Sequence, residues 1–403
     1  MPSCTSRRNA QRLPRALLSC LLLAGTPLLA QGLAFRELVL QPGEHAASLA
    51  ADGTVVGTSV DDGVLRWPPE ASSPEPLGGG PISYTSDVTP ALSKNGRTIA
   101  VVRRTMQTPP APILAPWFRQ DEGSWAPLPG LSLHDAFPYG VSADGTRIVG
   151  AGRMQPVPGQ PAPNRPWIWD AAAGQRTLPV PAELEGGEAW AVGDDGRVAI
   201  GHFYYRPDPA FPNRYYYGAR WSDGVASMLR DAEGRPLGRA MACNADCSMI
   251  VGGGPGGDVT PDDPAWALAW FWTEAGGATY LDPSGLPAGA QPPYTAWDLS
   301  DDGTTIVGTY TILAEEPFGA LPARRPFLWT AASGMRDLGT LLASQGIAFG
   351  GEGWELVASA VSPDGRQVLL NGRDTDSMPR AAVVTLPGDR LFGDGFDPGL
   401  PDR

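Results

Sequence analysis

Lysine is almost missing from this chain: of its 30 basic residues only Lys94 is a lysine, and there are three histidines, His45, His134 and His202. A zinc site or a Ser-His-Asp triad would have to be assembled from those three, which stand far apart and have no carboxylate motif beside them. No nucleophile elbow, phosphate loop or dinucleotide fingerprint occurs in a convincing context. The expectation is therefore no metal, no cofactor and no catalytic residue that can be named. Cysteine is equally scarce, at four residues. Long apolar runs are short of what a membrane span needs: the run from Ala16 to Ala30 has 15 residues, against the roughly 20 of a spanning helix. Helical periodicity of useful length is absent after residue 35.

The missing positive charge has its own meaning. The formal net charge is −13, so the chain repels phosphate backbones, and nucleic acid is excluded as a partner. Arg7, Arg8, Arg12 and Arg15 precede the apolar run, and small residues follow it, which is the order of an export signal. Cleavage is expected after Ala30. Losing those four arginines and no acid would take the charge from −13 to −17. Residues 1–30 are thus read as a signal peptide, with no transmembrane segment in the mature chain and a secreted or periplasmic destination, cell-surface association included. Cleavage also leaves only Cys243 and Cys247, and two thiols in an oxidising compartment pair.

What is present in quantity is repetition. The stretch VSADGTRIVG at Val141 returns as SLAADGTVVG at Ser48, ALSKNGRTIAV at Ala91, AVGDDGRVAIG at Ala191, ACNADCSMIVG at Ala242, DLSDDGTTIVG at Asp298 and AVSPDGRQVLL at Ala360. The turn position falls at Gly53, Gly96, Gly145, Gly196, Cys247, Gly303 and Gly365, at steps of 43 to 62 residues, a spacing that belongs to propellers or solenoids. A second phrase follows most copies and carries Trp67, Trp169, Trp221, Trp272 or Trp329 ahead of a Gly-containing turn. Each phrase reads as a hairpin, so each unit has four strands. The last unit has only three, and Phe35 to Gln41 offers a strand with no unit of its own. Supplying that strand to the last unit closes a ring and removes an exposed edge. The expected fold is all-β: a seven-bladed β-propeller over residues 31–387, four antiparallel strands per blade, with the N-terminal strand completing the last blade and a tail at 388–403.

The pattern Val-Ser-x-Asp-Gly-x-x-Ile-Val-Gly followed by Arg-Pro-Phe-Leu-Trp-Thr-x-x-x-Gly-Met-x-x-Leu-Gly, clearest from Val307 to Gly339, resembles the bacterial extracellular repeat proteins of the HAF family. The resemblance covers nearly all of the mature chain and implies a secreted or surface propeller-like protein. It carries no defined activity. The tail GDRLFGDGFDPGLPDR is similar to short endings on secreted proteins of some Gram-negative bacteria.

The Asp-Gly turns offer one or two carboxylates each, such as Asp144 alone or Asp301 with Asp302, too few for a calcium loop. They read as chain reversals. Cys243 and Cys247 flank the fifth turn, and a disulfide there offsets the strain of a non-glycine residue at Cys247. The most distinctive segment is HFYYRPDPAFPNRYYYGARW from His202 to Trp221. Tyr204, Tyr205, Phe211, Tyr215 and Tyr216 are the candidate ligand-binding residues, able to stack on sugar or peptide, while Tyr204 and Tyr216 alternatively pack the blade. If the strands run outward from the axis, the short turns share one face. The long connections Arg153 to Arg165, Tyr204 to Tyr217, Gly254 to Pro264, Tyr310 to Arg325 and Leu341 to Trp354 then share the other, where binding is expected. The functional expectation is a monomeric binding or surface-interaction module for glycan or protein. Two alternatives stay open: a secreted hydrolase or lyase on polysaccharide or peptide, for which many acid pairs exist, and a structural envelope protein.

Overall fold

The computed structural model describes residues 33–79, 89–105, 113–129, 133, 135–153, 163–206, 214–255, 267–314, 321–350 and 353–387. The leader and the tail fall outside these residues, as do His134, Phe211 and the middles of the longest connections.

Almost every described element is a strand. The first, β1 (Ala34–Leu38), is followed by β2 (His45–Leu49), β3 (Val55–Ser59), β4 (Gly63–Trp67) and β5 (Glu75–Gly78). Next come β6 (Ala91–Leu92), β7 (Thr98–Thr105), β8 (Ile113–Gln120) and β9 (Ala126–Pro127). The third group is β10 (Asp135–Val141), β11 (Arg147–Arg153), β12 (Asn164–Asp170) and β13 (Gly174–Thr177). The fourth is β14 (Gly186–Val192), β15 (Val198–Tyr205), β16 (Tyr215–Ser222) and β17 (Val225–Met228). The fifth is β18 (Leu237–Cys243), β19 (Met249–Pro255), β20 (Trp270–Thr273) and β21 (Gly277–Tyr280). The sixth is β22 (Ala290–Leu299), β23 (Thr305–Ala314), β24 (Leu321–Thr330) and β25 (Gly334–Asp337). A short helix, α1 (Leu338–Ser344), precedes β26 (Glu355–Val361), β27 (Gln367–Arg373) and β28 (Pro379–Thr385).

Each group is an antiparallel meander, giving five four-stranded sheets and one of eight strands among the described residues. The eight-stranded sheet arises where the β18–β21 and β22–β25 groups join through one residue pair, Gly253 opposite Thr295. The last three strands take β1 as their partner, in register from Ala34 opposite Thr385 to Leu38 opposite Ala381. Successive groups pack face on face over apolar cores. One core holds Val149, Ile168, Phe203 and Trp221; the next holds Ile200, Leu229 and Trp270.

In all seven copies of the repeated turn an Asp or Asn side chain accepts from the backbone N–H two residues on, and in four of them a serine begins the turn. In VSADGTRIVG, Asp144 accepts from the backbone N–H of Thr146 at 2.9 Å and from the Ser142 hydroxyl at 2.7 Å, and Ser142 Oγ accepts from Arg147 N–H at 3.0 Å. Gly145 sits at φ +76°, the left-handed region a side chain avoids. Cys247 holds φ +52° in the same place without being glycine, and its sulfur lies 2.09 Å from that of Cys243. The expected disulfide is thus where the strained residue is.

Two departures from expectation are instructive. The helix α1 was not anticipated; it is seven residues long, capped by Asp337 accepting from Thr340 N–H, and too short to show a period. Trp272 and Trp329, expected to fill the sheet interface, are only half-buried. The fully buried ring stands two residues earlier, as Trp270 and Phe327, and as Trp167 in the third group.

Six innermost strands carry a β-bulge at the same point, at Ala47, Tyr139, Trp190, Met241, Trp297 and Ser359. Opposite five of these bulges stands the glycine of the Ile-Val-Gly phrase: Gly57, Gly150, Gly201, Gly252 and Gly308. A Cβ there would overlap the carbonyl oxygen of His45, Phe137, Glu188, Arg239 or Thr295. At Gly150 it would also come within 2.6 Å of the Trp167 ring. At these five places the glycine leaves room for the inner strand's carbonyl, while the bulge at Ser359 forms with Leu370 in the corresponding position.

The turns are tied to one another at one end of the sheets. Backbone bonds run from Ala51 to Lys94, Asp194 to Ala245 and Asp301 to Pro363, at 2.7–2.9 Å. The single lysine then reaches two turns that are not its neighbours: Lys94 Nζ donates to Asp194 Oδ1 at 2.6 Å and to Asp301 Oδ1. Only side chains converging on a shared centre can meet across three groups. Burial works against the ammonium, but the bonds to Asp194 and Asp301 outweigh it and hold its pKa above the usual lysine value. Nearby, burial pushes Asp298 up to about 6.

Gly201→Ala should cost about 2 kcal/mol, since the added methyl meets backbone and not a movable side-chain tip; urea unfolding measures it. Lys94→Met should cost a comparable amount, about 2 kcal/mol for a partly exposed cluster left with two facing carboxylates. The double variant Lys94→Met/Asp301→Asn should recover part of that loss.

Candidate functional site

The bulge column is where the repeats stop resembling one another, and in the third and fourth groups it carries rings. Tyr139 on β10 stacks on Trp190 on β14, centroids 5.0 Å apart and planes 18° apart. Phe137 extends the row, nearly parallel to Tyr139 at 10°. All three are half-buried, so they keep faces or edges open beside the inner strands.

Strand register adds the polar part. Glu188 on β14 is directly opposite His202 on β15, and Gly186, Tyr204 and Tyr216 form the next row on the same sheet face. Glu188 Oε1 accepts from Asn164 Nδ2 at 2.6 Å and its Oε2 from Trp190 Nε1 at 3.2 Å. His202 Nε2 lies 3.6 Å from the same Oε2. The imidazole packs 5.9 Å from Trp190 and edge-on to Tyr216 at 5.0 Å. It is 2% exposed, and its Nδ1 has no hydrogen-bond partner. Burial, then the positive charges of Arg239 and Arg214, drive its pKa well below the usual histidine value. A neutral ring with its Nε2–H turned to Glu188 leaves Nδ1 as a bare acceptor.

Two guanidiniums border the cluster. Arg239, at the start of β18, lies 3.8 Å over the Tyr216 ring, and Arg214, just before β16, lies 4.4 Å over Tyr204. Among the described residues neither is ion-paired. Other arginines of this acidic chain are paired, such as Arg147 with Asp170 or Arg66 with Glu75 and Glu122.

The tyrosine segment singled out in the sequence is divided by the structure. Tyr204 is fully buried; its ring crosses over Gly186, where a Cβ would meet the phenol, and its hydroxyl accepts from Asn164 N–H at 2.6 Å. Tyr216 is half-buried between His202 and Arg239. Tyr205 and Tyr215 are cross-strand neighbours and exposed, 39% and 43%. Phe211 lies outside the described residues. Sequence reasoning did not name Tyr139, Glu188, Trp190 or Arg239, and it weighed His202 only as a metal or triad residue. The signal for Tyr139 and Trp190 is the column three places before the turn's first residue, variable inside an otherwise repeated strand. Among the described residues no group of three or more His, Cys, Asp or Glu side chains is placed to hold a metal.

Arg214, Tyr216, Arg239 and Glu188 sit toward the strand ends that carry the long connections, while Tyr139 and Trp190 stand further along their strands, three residues before the Asp-Gly turns. The arrangement offers flat apolar rings, two unpaired cations and one bare acceptor, which together suit recognition of a polar, negatively charged ligand with an apolar face.

His202 gives the site a pH signature. A histidine whose folded pKa lies below its unfolded value of about 6.5 takes up fewer protons folded than unfolded, so stability is lost as pH falls below about 6.5. His202→Phe should remove that loss. Thermal melts of both proteins between pH 7 and 5 should diverge, with the wild type falling more steeply.

No family model matches the chain, and no curated protein matches it. Among solved structures, the β-propeller domain of the Trilobed protease from Pyrococcus furiosus, described as having an open velcro topology, is similar over 88% of this chain and 99% of its own. The TM-score is 0.53 and the identity 11%. An acylaminoacyl peptidase from Pyrococcus horikoshii is similar over 84% of this chain at TM-score 0.48 and 12% identity. TolB from Acinetobacter baumannii is similar over 85% at TM-score 0.35 and 13% identity. The chain spans 49% of that peptidase and 64% of that TolB. Identities this low speak of fold alone: the chain is all-β and has the β-propeller fold.

Proposed function

We propose that this protein is an exported seven-bladed β-propeller that works as a binding module, without catalysis of its own, and that its ligand sits on the face of the long connections. Three observations support the seven-bladed ring. The hairpin phrase recurs seven times. The innermost strands touch in the cycle β2, β6, β10, β14, β18, β22, β26 and back to β2. The N-terminal strand pairs with β28, as a ring closed within its last blade requires. Export is supported by the basic and apolar leader and by the bonded cysteines, which persist in oxidising compartments. No helix among the described residues is long and apolar enough to cross a membrane.

The observation that carries the binding reading is the set of rings Tyr139, Trp190 and Tyr216 on a rigid scaffold, beside Arg214 and Arg239, neither of which is ion-paired among the described residues. Such rings and guanidiniums are the residue types that dominate recognition surfaces. Glu188 is the carboxylate inside the row, and both its oxygens are engaged by Asn164 and Trp190. Its part is to fix the indole and the imidazole.

A glycan and peptide array probed with the full exported chain tests this. Binding should appear and should fall about tenfold or more with Trp190→Ala, a loss of roughly 1.4 kcal/mol or greater. Signals untouched by Trp190→Ala, or turnover of an arrayed compound, would overturn it.

A further inference from the structure

Resting on that binding reading, we propose that the ligand is an acidic glycan, recognised through the carboxylate of a uronic-acid residue held by Arg239 and Arg214. The net charge of −13 makes an anionic ligand unexpected for the molecule as a whole, so local chemistry has to overcome the general repulsion. The two guanidiniums do so because, among the described residues, no acid pairs with them. Each is stacked on a tyrosine, Arg239 on Tyr216 at 3.8 Å and Arg214 on Tyr204 at 4.4 Å. Stacking fixes a guanidinium plane while leaving its N–H edge free, and that edge matches a carboxylate with two parallel bonds.

The remaining groups distinguish a sugar from other anions. His202 Nδ1 is a buried acceptor with no partner among the described residues, and a buried polar atom left bare calls for a donor; a sugar hydroxyl is one. The stacked pair of Tyr139 and Trp190, with planes 18° apart, gives a flat apolar wall on which the C–H face of a pyranose rests. A free phosphate or a simple carboxylate would use the arginines and leave the rings idle. An acidic peptide would use the arginines too, but its carboxylates hang on flexible stems and offer no hydroxyl for Nδ1 and no rigid face for the rings.

Calorimetric titration of the full chain separates these cases, with a tetramer of galacturonic acid, its methyl ester and a tetraglutamate peptide as probes. Saturable binding of the tetrauronate is expected, about tenfold or more tighter than the ester, since removing one charged partner of a desolvated pair is costly. Arg239→Gln and Arg214→Gln should each weaken the tetrauronate about tenfold and leave the ester unchanged, while Arg239→Lys should lose less. Unaltered melting curves would show that these variants fold. Equal affinity for acid and ester, or no effect of either glutamine variant, would refute the carboxylate assignment. If Trp190→Ala still abolished binding in that case, the site itself would stand. Preference for tetraglutamate over tetrauronate would refute the sugar. Loss of neither probe with Trp190→Ala would remove the site and the assignment together.

Discussion

The structure depends on one close contact, the carbonyl oxygen of five inner strands resting on a bare glycine of the next strand. At Gly57, Gly150, Gly201, Gly252 and Gly308 there is no room for a methyl group. The contact accompanies a bulge at each of these five places, and the bulge inserts one residue that does not pair. Without it, Tyr139 and Trp190 would alternate into the sheet interface with the other inner-strand residues. With it, they leave the interface and meet each other. A packing device repeated for the fold thus supplies the place where one side chain per group is released from packing.

The two ends of the molecule divide the labour. At the turn end, polar groups satisfy one another: serine on aspartate, aspartate on backbone, and Lys94 across to Asp194 and Asp301. Little is left over for a ligand. At the other end satisfaction is incomplete among the described residues, with His202 Nδ1 bare and Arg214 and Arg239 without acids. Unmet polar capacity on a stiff frame is what a binding surface requires.

Much of this was legible in the sequence because it is made by local chemistry. Asp144 and Gly145 declare a reversal, Ile148 and Val149 declare burial, and seven repetitions declare units. The pairing of β1 with the last group followed from counting strands. Cys243 and Cys247 were legible as the two cysteines that remain once the leader is removed. The site was only half legible. Tyr205, Tyr215 and Tyr216 stand out as a run of like residues, whereas Trp190 and Glu188 do not, because a bulge breaks the alternation by which strand faces are read. The partnership of Glu188 with His202 depends on register, and that of Arg239 with Tyr216 depends on packing between groups. Neither is written in a short stretch. The helix α1 escaped for a different reason: seven residues begun by Asp337 show no face, and Asp337 also holds the Tyr310 hydroxyl at 2.8 Å.

The central claim is that recognition belongs to the inner-strand ends of the third to fifth groups and not to the turn face. Hydrogen exchange of the full chain with and without tetrauronate addresses it most directly. Slowed exchange confined to segments 137–140, 186–190, 202–206, 214–216 and 237–241 is the predicted result. Slowing at the Asp-Gly turns, or at Lys94 and its partners, would contradict the account.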